Sequence, residues 1–454
     1  MNIEEIISFI SSNVWGYPLL FLIIGGGFYL ILISKFLPFR YLPHAISILR
    51  GRFSEDRSEG EISHFQALST ALSATIGMGN IAGVAVAISI GGPGAIFWMW
   101  VSGIIGMSTK FFTSSLAVMF RGVDSKGNKQ GGPMYFITEG LGKKWMSFAF
   151  FFSFCGMLGA LPVFNVNQLT SAINNLALKP MGFENNFTLK FLVGLVLIII
   201  TSAVIFGGLK RIATTASKIV PIMVVVYFIS VILILFFNYE NIFESFRLIF
   251  FDAFAGSYFK EDDILGGTLG AFIIYGIRRG VFSNEAGIGM APMAHGAAKT
   301  NNPIKEGLVA MLGPAIDTLI VCTLTALAIL STGVWIDNKH LEGIMLTACA
   351  FEYSFGDYGN YIILICAFFF SISSLFSYSY YGAKCLSFVA GDKNKKKYNY
   401  IYILSIMIGA TTSISVMLDL IDTFFGLMVI PTMITTLILA PKVVKKLNEY
   451  EIKK

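Results

Sequence analysis

The chain has 454 residues, 55% of them hydrophobic and only 13% charged, with a formal net charge of +6. A soluble domain carries about 25% charged residues, so the composition excludes an ordinary water-soluble protein and assigns most of the length to membrane spans. The positive balance is no nucleic-acid signal, because its distribution among the loops accounts for it.

The start, Asn2 to Asn13, carries Glu4 and Glu5 where a cleavable leader would be basic, so no such leader is expected. Apolar segments follow near 14–38, 64–90, 93–120, 146–172, 189–207, 215–237, 266–292, 306–333, 360–388, 398–419 and 423–441. Most approach the roughly 20 residues that cross a bilayer. The sequence therefore predicts an all-α polytopic membrane protein with eleven transmembrane helices. Lys and Arg number 25 in the loops at 35–63, 121–145, 207–218, 296–306 and 384–398 and after 441. The alternate loops hold five, at Lys179, Lys190, Arg247, Lys260 and Lys339, with an acidic cluster at Glu261-Asp262-Asp263. The positive-inside rule then puts the N-terminus outside the cell membrane, and the C-terminus with its basic tail 442–454 in the cytoplasm. Cys155, Cys322, Cys349, Cys366 and Cys385 are scattered and read as core residues, without a metal or disulfide pattern.

The segment at 64–90 is interrupted by Gly77, Gly79 and Asn80 at mid-span. Irregular backbone survives at that depth only when protein or a water-filled cavity surrounds it. A helix broken there aims N–H groups and a positive helix end at the midplane. Close helix packing through Gly79 and Gly83 is the plainer alternative. The segment at 266–292 reads Tyr275-Gly276-Ile277-Arg278-Arg279-Gly280 at its middle. With the first span (14–38) peripheral, the other ten divide into two sets of five, 64–237 and 266–441, of opposite topology. Each set then opens on a glycine-interrupted helix, the pattern of a secondary transporter built from inverted repeats.

A small zwitterion in such a site needs donors for its carboxylate, available at Gly77 and Gly79, and acceptors for its ammonium, expected at Tyr275 and Gly276. A sodium ion wants oxygens and no N–H. Phe370, Ser373 and Ser374 share one helix face and could meet the carbonyls of Ser73 and Ile76. Any one of those serines could equally bond back to its own helix. Asn80 could ligate an ion or cap the second half-helix. Gln168 suits substrate contact or an interhelical hydrogen bond, and Tyr378 a gate or a core position. Glu285 is expected to pair with Arg279, with proton coupling as the alternative. HExxH, Walker and GxSxG motifs are absent, so no enzyme is expected. Two interruptions within one chain argue against a channel, which needs a repeated pore-lining ring.

Longer motifs narrow the reading. Gly77-Met78-Gly79-Asn80-Ile81-Ala82-Gly83, Gly91-Gly92-Pro93-Gly94, Gly106-Met107-Ser108-Thr109-Lys110-Phe111 and Gly131-Gly132-Pro133-Met134-Tyr135 occur in the first half. The second half adds Arg279-Gly280-Val281-Phe282-Ser283-Asn284-Glu285-Ala286-Gly287 and Ile316-Asp317-Thr318. Together they resemble the alanine or glycine:cation symporter family across roughly residues 64 to 390. The resemblance implies a leucine-transporter-type fold of five-plus-five inverted repeats and sodium-driven uptake of small neutral amino acids such as alanine and glycine. It implies no cofactor beyond the coupling sodium, and no partner beyond substrate, ion and lipid bilayer. It assigns Thr75, Gly77, Gly79, Gln168, Gly276 and Ile277 to the substrate. Asn80 falls at one sodium position, and Ser73, Ile76, Phe370, Ser373 and Ser374 at the other. Met78 stands where threonine is usual and Tyr378 where tryptophan is usual, so both are expected near the substrate side chain. Thr113 and Thr170 depart from a glutamate and an asparagine. Another neutral amino acid, such as glutamine or serine, and a non-transporting sensor remain as alternative readings.

Overall fold

The computed structural model describes residues 3–52, 60–124, 127–184, 186–255, 269–338, 341 and 343–450. The acidic cluster at 261–263 and the first residues of the segment beginning at 266 lie outside them. Among the described residues the chain is almost wholly helical, with one two-residue hairpin, Gly122–Val123 against Lys129–Gln130. Among the described residues eight helices are long and apolar enough to cross a bilayer, or nine if the bent pair His64–Thr75 plus Gly79–Gly91 is one span. The other two expected spans, 266–292 and 398–419, fall on the shorter helices Leu269–Asn284 and Lys395–Thr411, of 16 and 17 residues, which are not among those nine.

The outer faces are apolar, and the ionisable groups within the apolar segments are buried in a largely hydrophobic core. Phe187–Ile205 and Gly208–Phe237 expose Phe191, Ile199, Ile222 and Phe236, while Lys110, Glu285, Asp317 and Asn80 are buried. That distribution suits hydrocarbon as the solvent, because ionisable groups in a membrane protein face the interior.

The first broken helix forms where the glycines predict it. A capping box of Ser63 and Gln66 starts His64–Thr75. The helix stops at Ile76, resumes as one π-helical turn at Gly79–Gly83, and continues as Val84–Gly91, bent by 52°. A second π-helical stretch, Ala315–Cys322, lies against it. Such turns open the backbone ladder and occur often at functional sites.

The second break is not where the glycines at 276 and 280 place it. Leu269–Asn284 runs through Tyr275–Gly280 without interruption. A Cβ at Gly276 would lie 2.5 Å from the Ala95 carbonyl oxygen, and one at Gly280 would lie 2.8 Å from the Ser102 Cβ. Those glycines let the helix pack closely on Gly94–Met119, the small-residue packing of membrane helices. The interruption comes at Glu285–Met290, where Glu285 (φ +54), Gly287 (+88) and Gly289 (+101) all take left-handed backbone. Ala291–His295 follows.

Candidate functional site

The first break, the end of the Leu269–Asn284 helix and the Asp357–Ala390 helix converge on one small cavity. Thr75, Gly77 and Gly79 line it from the first broken helix, Asn165 and Phe164 from Val163–Ala172, and Phe282 and Tyr378 from two further helices. It offers ≈ 20 Å³ to the centre of a water-sized sphere, about the room one water needs. Gly77 is required by contact rather than by dihedral angle: a Cβ there would meet Ser374 Oγ at 2.4 Å and Asn165 Oδ1 at 3.1 Å. The Gly77 N–H donates to the Thr75 carbonyl (2.8 Å) and to Asn80 Oδ1 (3.1 Å). The Met78 N–H donates to Asn165 Oδ1 at 3.2 Å. Thr75 Oγ1 has no hydrogen-bond partner among the described residues.

Beside the cavity is a dry cluster of oxygens. Ser73 Oγ donates to the Ser373 carbonyl at 2.6 Å. Ser374 Oγ lies 3.3 Å from the Ala74 carbonyl oxygen and 3.0 Å from that of Phe370. Ser373 Oγ reaches the Phe370 and Ser73 carbonyls at 3.0 and 3.4 Å. Ser73, Phe370, Ser373 and Ser374 are thus brought together, and all are fully buried. Each hydroxyl donates to a carbonyl here. Rotation of the three Oγ–H bonds would turn the same atoms into an oxygen cage for a small cation. Ile76 is buried at the adjoining break, where its N–H bonds to the Leu72 carbonyl.

Asn80 sits in a second polar cluster. Its Nδ2 donates to Asp317 Oδ1 at 2.7 Å, while Asp317 Oδ2 accepts from Ser283 Oγ (2.7 Å) and Thr318 Oγ1 (2.8 Å). The cluster joins the two π-helical stretches to the end of the Leu269–Asn284 helix. Asp317 and Lys110 were not singled out by spacing, although each is an ionisable residue inside an apolar span, a functional signal by default.

Several expected contacts are different. The Arg279–Glu285 ion pair is not made. Arg279 pairs with Asp422, and Glu285 Oε1 accepts from Tyr378 Oη at 2.5 Å. The helix ends at Asn284, and the left-handed turn at Glu285 sends that carboxylate toward the Asp357–Ala390 helix. Gln168 Oε1 accepts from the Ile344 N–H at 3.1 Å, the interhelical alternative, and does not line the cavity. Gly276 and Ile277 lie within the regular helix and do not line it either; nor does Met78, which is buried.

Over the cavity lies an aromatic and ionic seam. Phe282 meets Phe164 edge-on at 5.2 Å and Phe425 at 5.7 Å between ring centres, and Arg279 covers Phe282 at 5.0 Å. Arg278 bonds Asp422 at 2.7 Å and Ser11 Oγ at 2.5 Å. Trp15 Nε1 donates to the Asp422 carbonyl at 2.8 Å. The N-terminal span therefore reaches the seam with two side chains.

The chain matches the model of the sodium:alanine symporter family over residues 1–454. It is 40% identical to a sodium/alanine symporter, AgcS, of Methanococcus maripaludis, across 100% of this chain and 99% of that protein. It is 35% identical to a probable sodium/glutamine symporter, GlnT, of Bacillus subtilis, across 99% of this chain and 91% of that one. Among solved structures, MhsT in complex with L-phenylalanine superposes with a TM-score of 0.62 at 13% identity, over 84% of this chain and 90% of its own. A Na+-coupled sialic acid symporter gives 0.52 at 15% identity, over 94% and 98%. At those identities the likeness is one of fold.

Proposed function

The chain belongs to the sodium:alanine symporter family, and we propose that it couples sodium influx to uptake of alanine or glycine by alternating access. It is a multi-pass membrane transporter and not an enzyme. The observation that carries the proposal is the adjacency of the Gly77–Gly79 cavity to the Ser73–Phe370–Ser373–Ser374 oxygens, where the first broken helix meets the Asp357–Ala390 helix. One substrate would lie against the backbone of that helix and one ion against its carbonyls, so each ligand orders what the other needs. Asn165 and Thr75 are the side chains proposed to meet the amino acid, with Tyr378 closing the far side. Asn80 and Asp317 are proposed as a second polar anchor for the same break. The five-plus-five repeat, with 64–237 and 266–441 inverted about the membrane plane, and a cytoplasmic placement of the basic loops complete the reading. The probable glutamine symporter among the relatives supports a second substrate reading, glutamine.

Uptake of labelled alanine into proteoliposomes, with and without an inward sodium gradient, tests the function. Accumulation should require sodium, and unlabelled glycine should compete. Sodium-independent equilibration, or no uptake of alanine, glycine, serine or glutamine, would reject it.

A further inference from the structure

Where the basic segments 207–218 and 384–398 meet, a larger cavity opens between three helices. It lies against the start of Gly208–Phe237, the Ser379–Ala383 stretch of Asp357–Ala390 and the start of Lys395–Thr411. It offers ≈ 210 Å³ to the centre of a water-sized sphere, against ≈ 20 Å³ for the cavity at Gly77. Phe206, Leu209, Ile212 and Ala383 give it an apolar lining, and Lys395, Lys396 and Asn399 a polar one. We propose that this cavity is a binding site for an anionic phospholipid, which ties the start of the Gly208–Phe237 helix to that of Lys395–Thr411.

The polar side asks for an anion. No carboxylate is among the described residues that line the cavity. Lys395 Nζ lies 5.8 Å from the centre of the Tyr380 ring, which Lys384 Nζ also approaches, at 5.3 Å. Lys384 directs its hydrogen bonds to the Tyr380 hydroxyl (3.0 Å) and the Met293 carbonyl (3.1 Å). Two ammonium groups on one ring repel each other, and an anion beside Lys395 relieves that repulsion. Asn399 is 9% exposed, lines the cavity, and makes no side-chain hydrogen bond among the described residues. A buried amide left so is costly, and its N–H groups suit a phosphate oxygen. The 30-residue and 17-residue helices that begin here have neither a side-chain cap nor an acidic residue in the first turn, so their positive ends add to the field. The acid that precedes the second of them, Asp392, accepts from the Ser387 hydroxyl and does not line the cavity.

The apolar side makes that anion a lipid. Phe206 is 46% and Tyr400 62% exposed, with ring centres 5.6 Å apart, so the rim of the cavity carries aromatic surface of the kind found at a membrane interface. A free phosphate gains little from such a wall. A phospholipid sets its phosphate on Lys395, Lys396 and Asn399 and the start of its acyl chains along Phe206, Leu209 and Ile212. Basic pockets between membrane helices hold anionic headgroups in this way. The Gly208–Phe237 helix packs in turn on His64–Thr75 and Asp357–Ala390, which puts the lipid one helix away from the candidate ion cluster.

Lipid titration of the purified full-length protein, read as lipid-bound species by native mass spectrometry, tests the site without transport. Phosphatidylglycerol should bind more tightly than phosphatidylcholine, and an equal concentration of inorganic phosphate should not displace it. Each lysine beside an anionic headgroup contributes about fivefold, so Lys395→Gln with Lys396→Gln should weaken phosphatidylglycerol about 25-fold. Lys393→Gln with Lys397→Gln removes the same charge from the same loop, at exposed positions that do not line the cavity. That pair should stay within about threefold of the native affinity, because exposed charges are screened. Equal binding of the two lipids, displacement by phosphate, or an equal loss in both pairs of variants overturns the site. The native lipid preference and the phosphate competition decide alone if the variants do not fold. Sodium-driven uptake has no part in this measurement, so loss of the transport function would leave the lipid site standing.

Discussion

Gly77 has no room for a side chain, and the atom its Cβ would strike, Ser374 Oγ, belongs to the candidate ion cluster. Gly77→Ala should therefore lower sodium-driven uptake more than tenfold while the protein still inserts, measured as uptake against surface expression. Ser374→Ala removes one oxygen worth about 1–1.5 kcal/mol, so the sodium concentration for half-maximal uptake should rise about tenfold. The Arg279–Asp422 pair makes a contrasting prediction. Asp422→Asn leaves two arginines with no anionic partner at 422 and should cost about 3–5 kcal/mol. Glu285→Gln keeps an acceptor for Tyr378 and should cost about 1 kcal/mol. Detergent melting of both variants checks the order. Gly77 and Asn80 are legible in the sequence because glycine and amide residues are out of place at mid-span. The partner of Arg279 is not. Asp422 lies 143 residues away, and no local pattern connects them.

Elements were legible where a single segment carries its own signal. The apolar runs and the first break follow from local chemistry. The second break did not, because glycine has two meanings in a membrane helix, interruption and close packing. Gly276 and Gly280 have the packing meaning, and what interrupts the helix is the left-handed run from Glu285 to Gly289. The π-helical stretches were also invisible, since an extra residue in a turn leaves little mark on hydropathy. Their contact is testable at Asp317. Asp317→Asn replaces an oxygen that accepts from hydroxyls by an amide that donates. At least one buried donor among Asn80, Ser283 and Thr318 then loses its acceptor, at a cost of about 1–3 kcal/mol. Thermal unfolding should fall accordingly, whether or not sodium is present.

At the scale of the whole molecule, the proposed substrate cavity has space for about one water, so an amino acid would bind there only in a more open form of the protein. A ligand at 100 times its dissociation constant stabilises the form that binds it by about 2.7 kcal/mol. Sodium should raise the melting temperature, and alanine should raise it further only when sodium is present; potassium with alanine should give no shift. The seam over the cavity also bears on how the protein is made. Trp15 and Asp422 are 407 residues apart, and at roughly 5–20 residues per second a ribosome needs about 20–80 seconds to travel between them. Throughout that interval the N-terminal span is in the bilayer without its last neighbour. Arg278 and Arg279 emerge about two-thirds of the way through, still lacking their counter-charge. The final helix therefore delivers the carboxylate that lets those arginines settle at depth, and the seam over the cavity closes only when synthesis is nearly complete.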